Sequence, residues 1–151
     1  MKDELQQKLY DKYPKLFAQK SLPMNITCMC YGVCVGDGWY NIMEVLCSRI
    51  QGYIDRKQQK DPEFHQVEFT QVKEKFGGLR VYTNGHDEVV DFLISFATGM
   101  AARTCEDCGN PGKNRSYNGW YIAHCDTCSA EYQKKRGEKE DKDDENEEEA
   151  A

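Results

Sequence analysis

Apolar residues recur along this chain at two spacings, and each change of spacing marks an element. From about 2 to 18, Leu5, Leu9, Tyr13, Leu16 and Phe17 line one side of a helix. Pro14 predicts a break near Tyr13, because proline lacks an amide hydrogen and crowds the preceding turn. Residues 21–36 are punctuated by Pro23, Gly32 and Gly36 and read as a loop or short strand. The clearest helix spans about 38–57, where Trp39, Ile42, Met43, Leu46, Ile50, Tyr53 and Ile54 form one buried stripe. Asp37 stands where a short carboxylate can cap the free amides of its first turn. Beside Trp39, the same carboxylate is alternatively a ligand-facing group. The polar stretch Gln58 to Glu63, with Pro62, is a loop.

The period then falls to two. Val67 to Phe76 and Leu79 to Thr83 predict a β-hairpin over about 66–83, with Gly77 and Gly78 as the centre of a tight type I′ turn. That register sets Phe76 opposite Leu79, Lys75 opposite Arg80 and Lys73 opposite Tyr82. It turns Val72, Phe76, Leu79 and Val81 inward and Gln71, Lys73, Lys75, Arg80 and Tyr82 outward. Val67 and Phe69 then face the wrong way unless a bulge lies near Thr70. A third helix over about 86–103 buries Val89, Val90, Leu93, Phe96, Ala97 and Met100. Asp87 and Glu88 suit its positive end and Arg103 its negative end.

The C-terminal third changes character, with Cys105-x2-Cys108-x16-Cys125-x2-Cys128. Two such pairs at this separation are a strong zinc signal, since each can present two sulfurs on a tight turn and together they close a tetrahedron. Four thiolates leave no open position for water, which makes the predicted Zn²⁺ structural. A turn-rich knuckle after Cys108, a strand from Gly119 to Ala123, and a helix starting at Cys125 describe a treble-clef-like finger. His124 is a neighbour of the site and an alternative ligand. Cys28, Cys30 and Cys34 are irregularly spaced; with Cys47 they read as free thiols, a second ion at the first three being the alternative. The predicted fold class is α+β: a body over 1–103, a four-cysteine zinc finger over 104–136 packed on it, and a disordered acidic tail over 137–151.

Charge and length refine this. The chain has 151 residues and a net charge of −6, but residues 138–149 hold nine acids against two lysines, so the remainder, with 18 basic and 17 acidic residues, is nearly neutral. A tail without aromatic or large apolar residues cannot offset chain entropy. No apolar run approaches the roughly 20 residues that span a bilayer, and the polar start carries no signal-peptide core. Eight cysteines in such a chain point to a reducing cytoplasm.

Two surfaces are candidates for contact. Lys73, Lys75, Arg80 and Tyr82 form a cationic strip suited to phosphate, nucleic acid or an acidic protein. Lys113, Arg115 and Tyr117 on the finger, with Lys134, Lys135 and Arg136 on the following helix, form a second cluster. Glu74 falls on the inward face and needs a partner, Arg103 or Arg49, or is an acid or base of raised pKa.

Three segments together resemble a family of small uncharacterised bacteriophage and prophage proteins: Gly36-Asp37-Gly38-Trp39-Tyr40, the run Gln71 to Arg80, and the Cys105 to Cys128 pattern with Gly119-Trp120. The resemblance spans about 10–130. It implies a phage origin, hence a host cytoplasm, and a zinc-binding α+β domain, without implying an activity. The function expected is a non-enzymatic binding protein whose partner is a host protein or a small anionic ligand. The near-neutral body disfavours tight non-specific DNA binding, which needs many phosphate contacts. The alternatives are a nucleic-acid-binding protein and an HNH-like metal-dependent nuclease, for which His124, Asn114 and Asn118 are the available residues. No P-loop, HExxH or GxSxG motif is present.

Overall fold

The computed structural model describes residues 1–85 and 87–149, with side chains as far as Gly137. The chain is α+β. In order come α1 (Asp3–Lys12), β1 (Val33–Cys34), α2 (Tyr40–Gln58), β2 (Phe69–Lys75), β3 (Gly78–Thr83), α3 (Glu88–Ala101), β4 (Lys113–Tyr117), β5 (Trp120–His124) and α4 (Asp126–Glu149). Short 3-10 turns occupy Ala18–Ser21, Cys28–Tyr31 and Asp37–Trp39. The side chains of the acidic tail from 138 onward, and Ala150 and Ala151, lie outside the described residues.

The core forms where the apolar stripes meet. α1 ends at Lys12, with Tyr13 as its C-cap before Pro14. Leu16 and Phe17 then turn into the core, where the Phe17 ring packs edge-on against Tyr10 and Phe69. α2 buries Met43, Leu46, Cys47, Ile50 and Ile54. These lie against a three-stranded sheet of order β1-β2-β3. β1 pairs with β2 in parallel, Val33 beside Val72 and Cys34 beside Lys73. A parallel pair needs a crossover, and α2 supplies it.

The turn centre lies one residue earlier than predicted, which shifts every hairpin pairing by two residues. The partners are Lys75 with Gly78, Glu74 with Leu79, Lys73 with Arg80 and Val72 with Val81. The turn centre is Phe76-Gly77, both at positive φ (55° and 72°), as a type I′ turn requires. Phe76 therefore leaves the predicted inward face and is 66% exposed. Lys73, not Lys75, opposes Arg80. The bulge near Thr70 is present as a register shift between Phe69 and Gln71. It lets Val67 and Phe69 be buried along with Val72 and Leu79.

Helix α3 begins at Glu88; His86 lies outside the described residues. The Asp87 carboxylate caps it by accepting the Val89 and Val90 amides at 2.9 and 3.0 Å. It buries Val90 and Ala97, but Val89, Phe96 and Met100, expected inside, are exposed together with Phe92. The helix has more apolar surface than α2 and the sheet can cover.

Asp37 does not cap α2. A 3-10 turn over Asp37–Trp39 intervenes, and no side chain caps the helix. The carboxylate instead accepts the Lys2 amide at 2.7 Å and pairs with the Lys2 ammonium at 3.0 Å. The Lys2 amide, with the ammonium's help, holds its pKa below the ordinary carboxylate range. An acid so depressed stabilises the fold above the carboxylate range and loses that contribution as pH falls through its folded-state value. Asp37→Asn is therefore expected to lower stability by about 1 kcal/mol at pH 7 and by nothing measurable once wild-type Asp37 is protonated. Denaturant melts at both pH values check this; an equal loss at both would reject the ion-pair account.

Candidate metal centre and adjoining surface

The finger is built by turns that bring four sulfurs together. Cys105 and Cys108 sit on a knuckle in which the Cys105 amide donates to Asn110 O at 2.8 Å and the Gly109 amide to Cys105 O at 2.9 Å. β4 and β5 then pair through a turn at Asn118-Gly119 and deliver Cys125 to the start of α4. There the Cys128 amide donates to Cys125 Sγ at 3.4 Å.

All four sulfurs lie within 4.8 Å of one another, and Cys108 Sγ is 3.7 Å from Cys125 Sγ. A tetrahedron of sulfurs about 2.3 Å from a central ion has edges of about 3.8 Å. The Cys128 amide pulls Cys125 down to about 7. Burial and the three sulfurs beside it push Cys128 up. Four such groups cannot all ionise against each other, but a divalent cation at their centre would favour every thiolate. Cys105, Cys108, Cys125 and Cys128 are thus arranged to hold one metal ion. Among the described residues this is the one group of three or more metal-ligating side chains so placed. Cys28 and Cys34 are exposed and Cys30 half-buried. The Cys30 and Cys34 thiols donate to Thr27 O and Tyr31 O. Cys47 is buried, and burial raises its thiol pKa, which makes it inert.

His124 is only 1% exposed. Its Nδ1 lies 2.9 Å from the Tyr117 hydroxyl, which bonds in turn to Ser129 Oγ, and its Nε2 lies 3.0 Å from Asp107 Oδ2. With both nitrogens engaged inside the finger, the ring is a structural post rather than a ligand or a base open to substrate. Arg115 is also committed: its Nε donates to His124 O at 3.1 Å and its guanidinium pairs with Asp126. Lys113, Lys134 and Lys135 are exposed, as are Asn114 and Asn118, whereas Arg136 is half-buried and donates to Tyr117 O.

The segment Gly36–Trp39 is the seam between finger and body. Gly38 N donates to Glu106 O at 2.7 Å, and Gly36 N to the Glu106 carboxylate at 2.8 Å. Trp39, expected beside a ligand-facing carboxylate, is fully buried and donates from Nε1 to Thr104 O at 2.9 Å. Glu106 was not anticipated. Burial raises its pKa, and its amide donates to Ala123 O at 2.7 Å. The available signal was an acid inside the first CxxC and two glycines flanking Asp37, which permit close backbone approach.

A second joint lies at the hairpin tip, where Asn114 Nδ2 donates to Phe76 O at 2.8 Å. Here Phe76, Trp120 (71% exposed) and Tyr121 flank a cleft of about 340 Å³, with Glu74 and Lys75 in its wall. Glu74 accepts the Gly77 amide and so closes the turn, instead of pairing with Arg49 or Arg103. Lys75 Nζ sits 5.2 Å from the Phe76 ring centre and Lys73 Nζ 6.0 Å from that of Tyr82. Pairing places Lys73, Arg80, Lys75 and Tyr82 on one sheet face, continuous with this tip. Among the described residues no helix is long and apolar enough to cross a membrane. No protein-family model, curated protein or solved structure matches this chain.

Proposed function

We propose that this chain is a non-enzymatic, zinc-stabilised binding protein of phage origin, acting in the host cytoplasm on an acidic host protein or a small anionic ligand. Zinc is assigned to the Cys105 site because four thiolates in a near-tetrahedral array suit that ion and leave it no open position for catalysis. The single observation that carries the binding reading is the sheet face of Lys73, Lys75, Arg80 and Tyr82 running into the aromatic tip. Like charges opposed across strands, as Lys73 and Arg80 are, cost stability unless an anion lies between them.

A second reading, single-stranded nucleic acid, is favoured by Phe76, Trp120 and Tyr121 at the tip, since exposed rings beside cations form stacking platforms. The nuclease alternative gains nothing from His124, whose ring is enclosed. One titration separates these partners. Trp39 is buried and Trp120 exposed, so intrinsic fluorescence reports on the tip. A poly-glutamate peptide is expected to saturate the signal, and Lys73→Glu with Arg80→Glu to weaken binding at least about tenfold with the circular dichroism spectrum unchanged. Saturation by oligo-thymidine alone would replace the host-protein reading with the nucleic-acid one. No response to peptide, oligonucleotide or polyphosphate would remove the face from consideration.

A further inference from the structure

Helices α2 and α3 enclose an apolar groove of about 630 Å³ floored by Ile42, Val45, Leu46 and Leu93. One wall of it is the ridge of Phe92 and Phe96, 70% and 63% exposed. An apolar surface of this kind on a water-facing helix pair marks a contact site. We propose that its occupant is a second copy of this chain, joined about a two-fold axis so that the Phe92–Phe96 ridge of each copy enters the groove of the other.

Three features select that occupant. First, ridge and groove lie side by side on one patch. A two-fold axis pairs a surface with itself, and this patch carries both the convex and the concave half that such pairing needs. Second, the charges at the ends of the ridge match only one direction. Glu88 is exposed at the start of α3 and Arg103 just beyond its end. Over 14 residues, about 21 Å of helix, antiparallel packing sets each Glu88 near the partner copy's Arg103. The helix dipoles are then opposed favourably as well. Parallel packing would set like charge on like. Third, the adjoining face of α3 carries Ser95 and Gly99. A Cβ built on Gly99 meets nothing within 4 Å, so another helix can approach closely there. α2 runs antiparallel to α3: Tyr53, late in α2, donates to Asp87 at the start of α3 at 3.1 Å, and Trp39, just before α2, donates to Thr104, just after α3, at 2.9 Å. The product is a four-helix arrangement at the centre of the dimer.

The test is the mass of the full chain by sedimentation equilibrium across a concentration series. Twice 17.5 kDa is expected, with a dissociation constant below about 10 µM. Phe92→Glu with Phe96→Glu, both at exposed positions, should give a monomer of unchanged helix content. Gly99→Arg provides a second variant, because a long side chain there has open space in the monomer and obstructs the dimer. Glu88→Arg and Arg103→Glu should each weaken association about tenfold, and the two together should restore it. A monomeric wild type, whatever else binds the groove, overturns the proposal. So does a dimer that survives Gly99→Arg and both phenylalanine changes. A double charge reversal no better than either single one overturns the antiparallel arrangement.

Discussion

Replacing Cys125 by serine is expected to abolish metal binding and to unfold 104–136 as a unit. Apart from its seam with Gly36–Trp39 and the Asn114–Phe76 bond, the finger has little else to hold it. Its buried side chains away from the sulfurs are few, chiefly Tyr117, Ala123, His124 and Ser129, and an isolated two-stranded hairpin is marginal in water. In a domain of this kind the binding free energy of the ion is folding free energy. Loss of one ligand is therefore expected to cost at least about 4 kcal/mol. Cys125 is the most telling position, because its sulfur also accepts the Cys128 amide that opens α4. Elemental analysis of reduced wild type should find one zinc per chain, and Cys125→Ser none. A chelator should reproduce the unfolding of the finger, read by Trp120 fluorescence and by protease cleavage within 104–136. Wild-type protein that lacks metal yet resists protease equally well would reject the metal-centred account.

Gly38→Ala is expected to be the most damaging substitution outside the ligands. A Cβ at Gly38 would lie 2.3 Å from Cys105 O and 2.4 Å from Gly109 N. Both are backbone atoms of the knuckle that holds two sulfurs, and they are bonded to one another at 2.9 Å. No rotamer relieves the overlap, so the seam must open, at an expected cost of about 3 kcal/mol or more. Opening it exposes Trp39 and strands the Glu106 carbonyl that accepts the Gly38 amide. The contrast is Gly52→Ala within α2, where a Cβ meets only the far end of the Arg56 side chain at 3.5 Å and exchange of glycine for a better helix former should gain about 0.5–1 kcal/mol. Denaturant melts of both variants, with zinc affinity measured alongside, decide the matter. A Gly38→Ala protein as stable as wild type would mean that the finger does not dock on this loop.

How far these features could be read without coordinates depended on how local their causes are. The stripe of α2, the break at Pro14 and the convergence of Cys105, Cys108, Cys125 and Cys128 were legible, because spacing alone dictates them. The bulge near Thr70 was legible from a parity conflict between Phe69 and Val72. The turn centre was not. Both Phe76-Gly77 and Gly77-Gly78 can close a hairpin, and the choice falls to Phe76 because Leu79, not Phe76, takes the core position opposite Glu74. β1 is legible only as the short-strand alternative within 21–36, because two residues carry no period and its pairing depends on a crossover. Asp37 was misassigned because Lys2, 35 residues away, competes for its carboxylate. For α3 the apolar arc was read correctly, but how much of it the body covers depends on the neighbouring elements, and α2 with the sheet leaves Phe92 and Phe96 outside.

The seam at Gly36–Trp39 also sets an order of events during synthesis. Its donors emerge early, but their acceptors on Thr104 and Glu106 belong to a knuckle whose metal site is complete only once Cys128 has left the ribosome. The body must therefore wait, with Trp39 unsealed, for the last third of the chain to arrive, and an ion held by the four cysteines would be what completes the knuckle. Shortage of metal in the cell would lengthen that interval and expose the nascent protein to proteases.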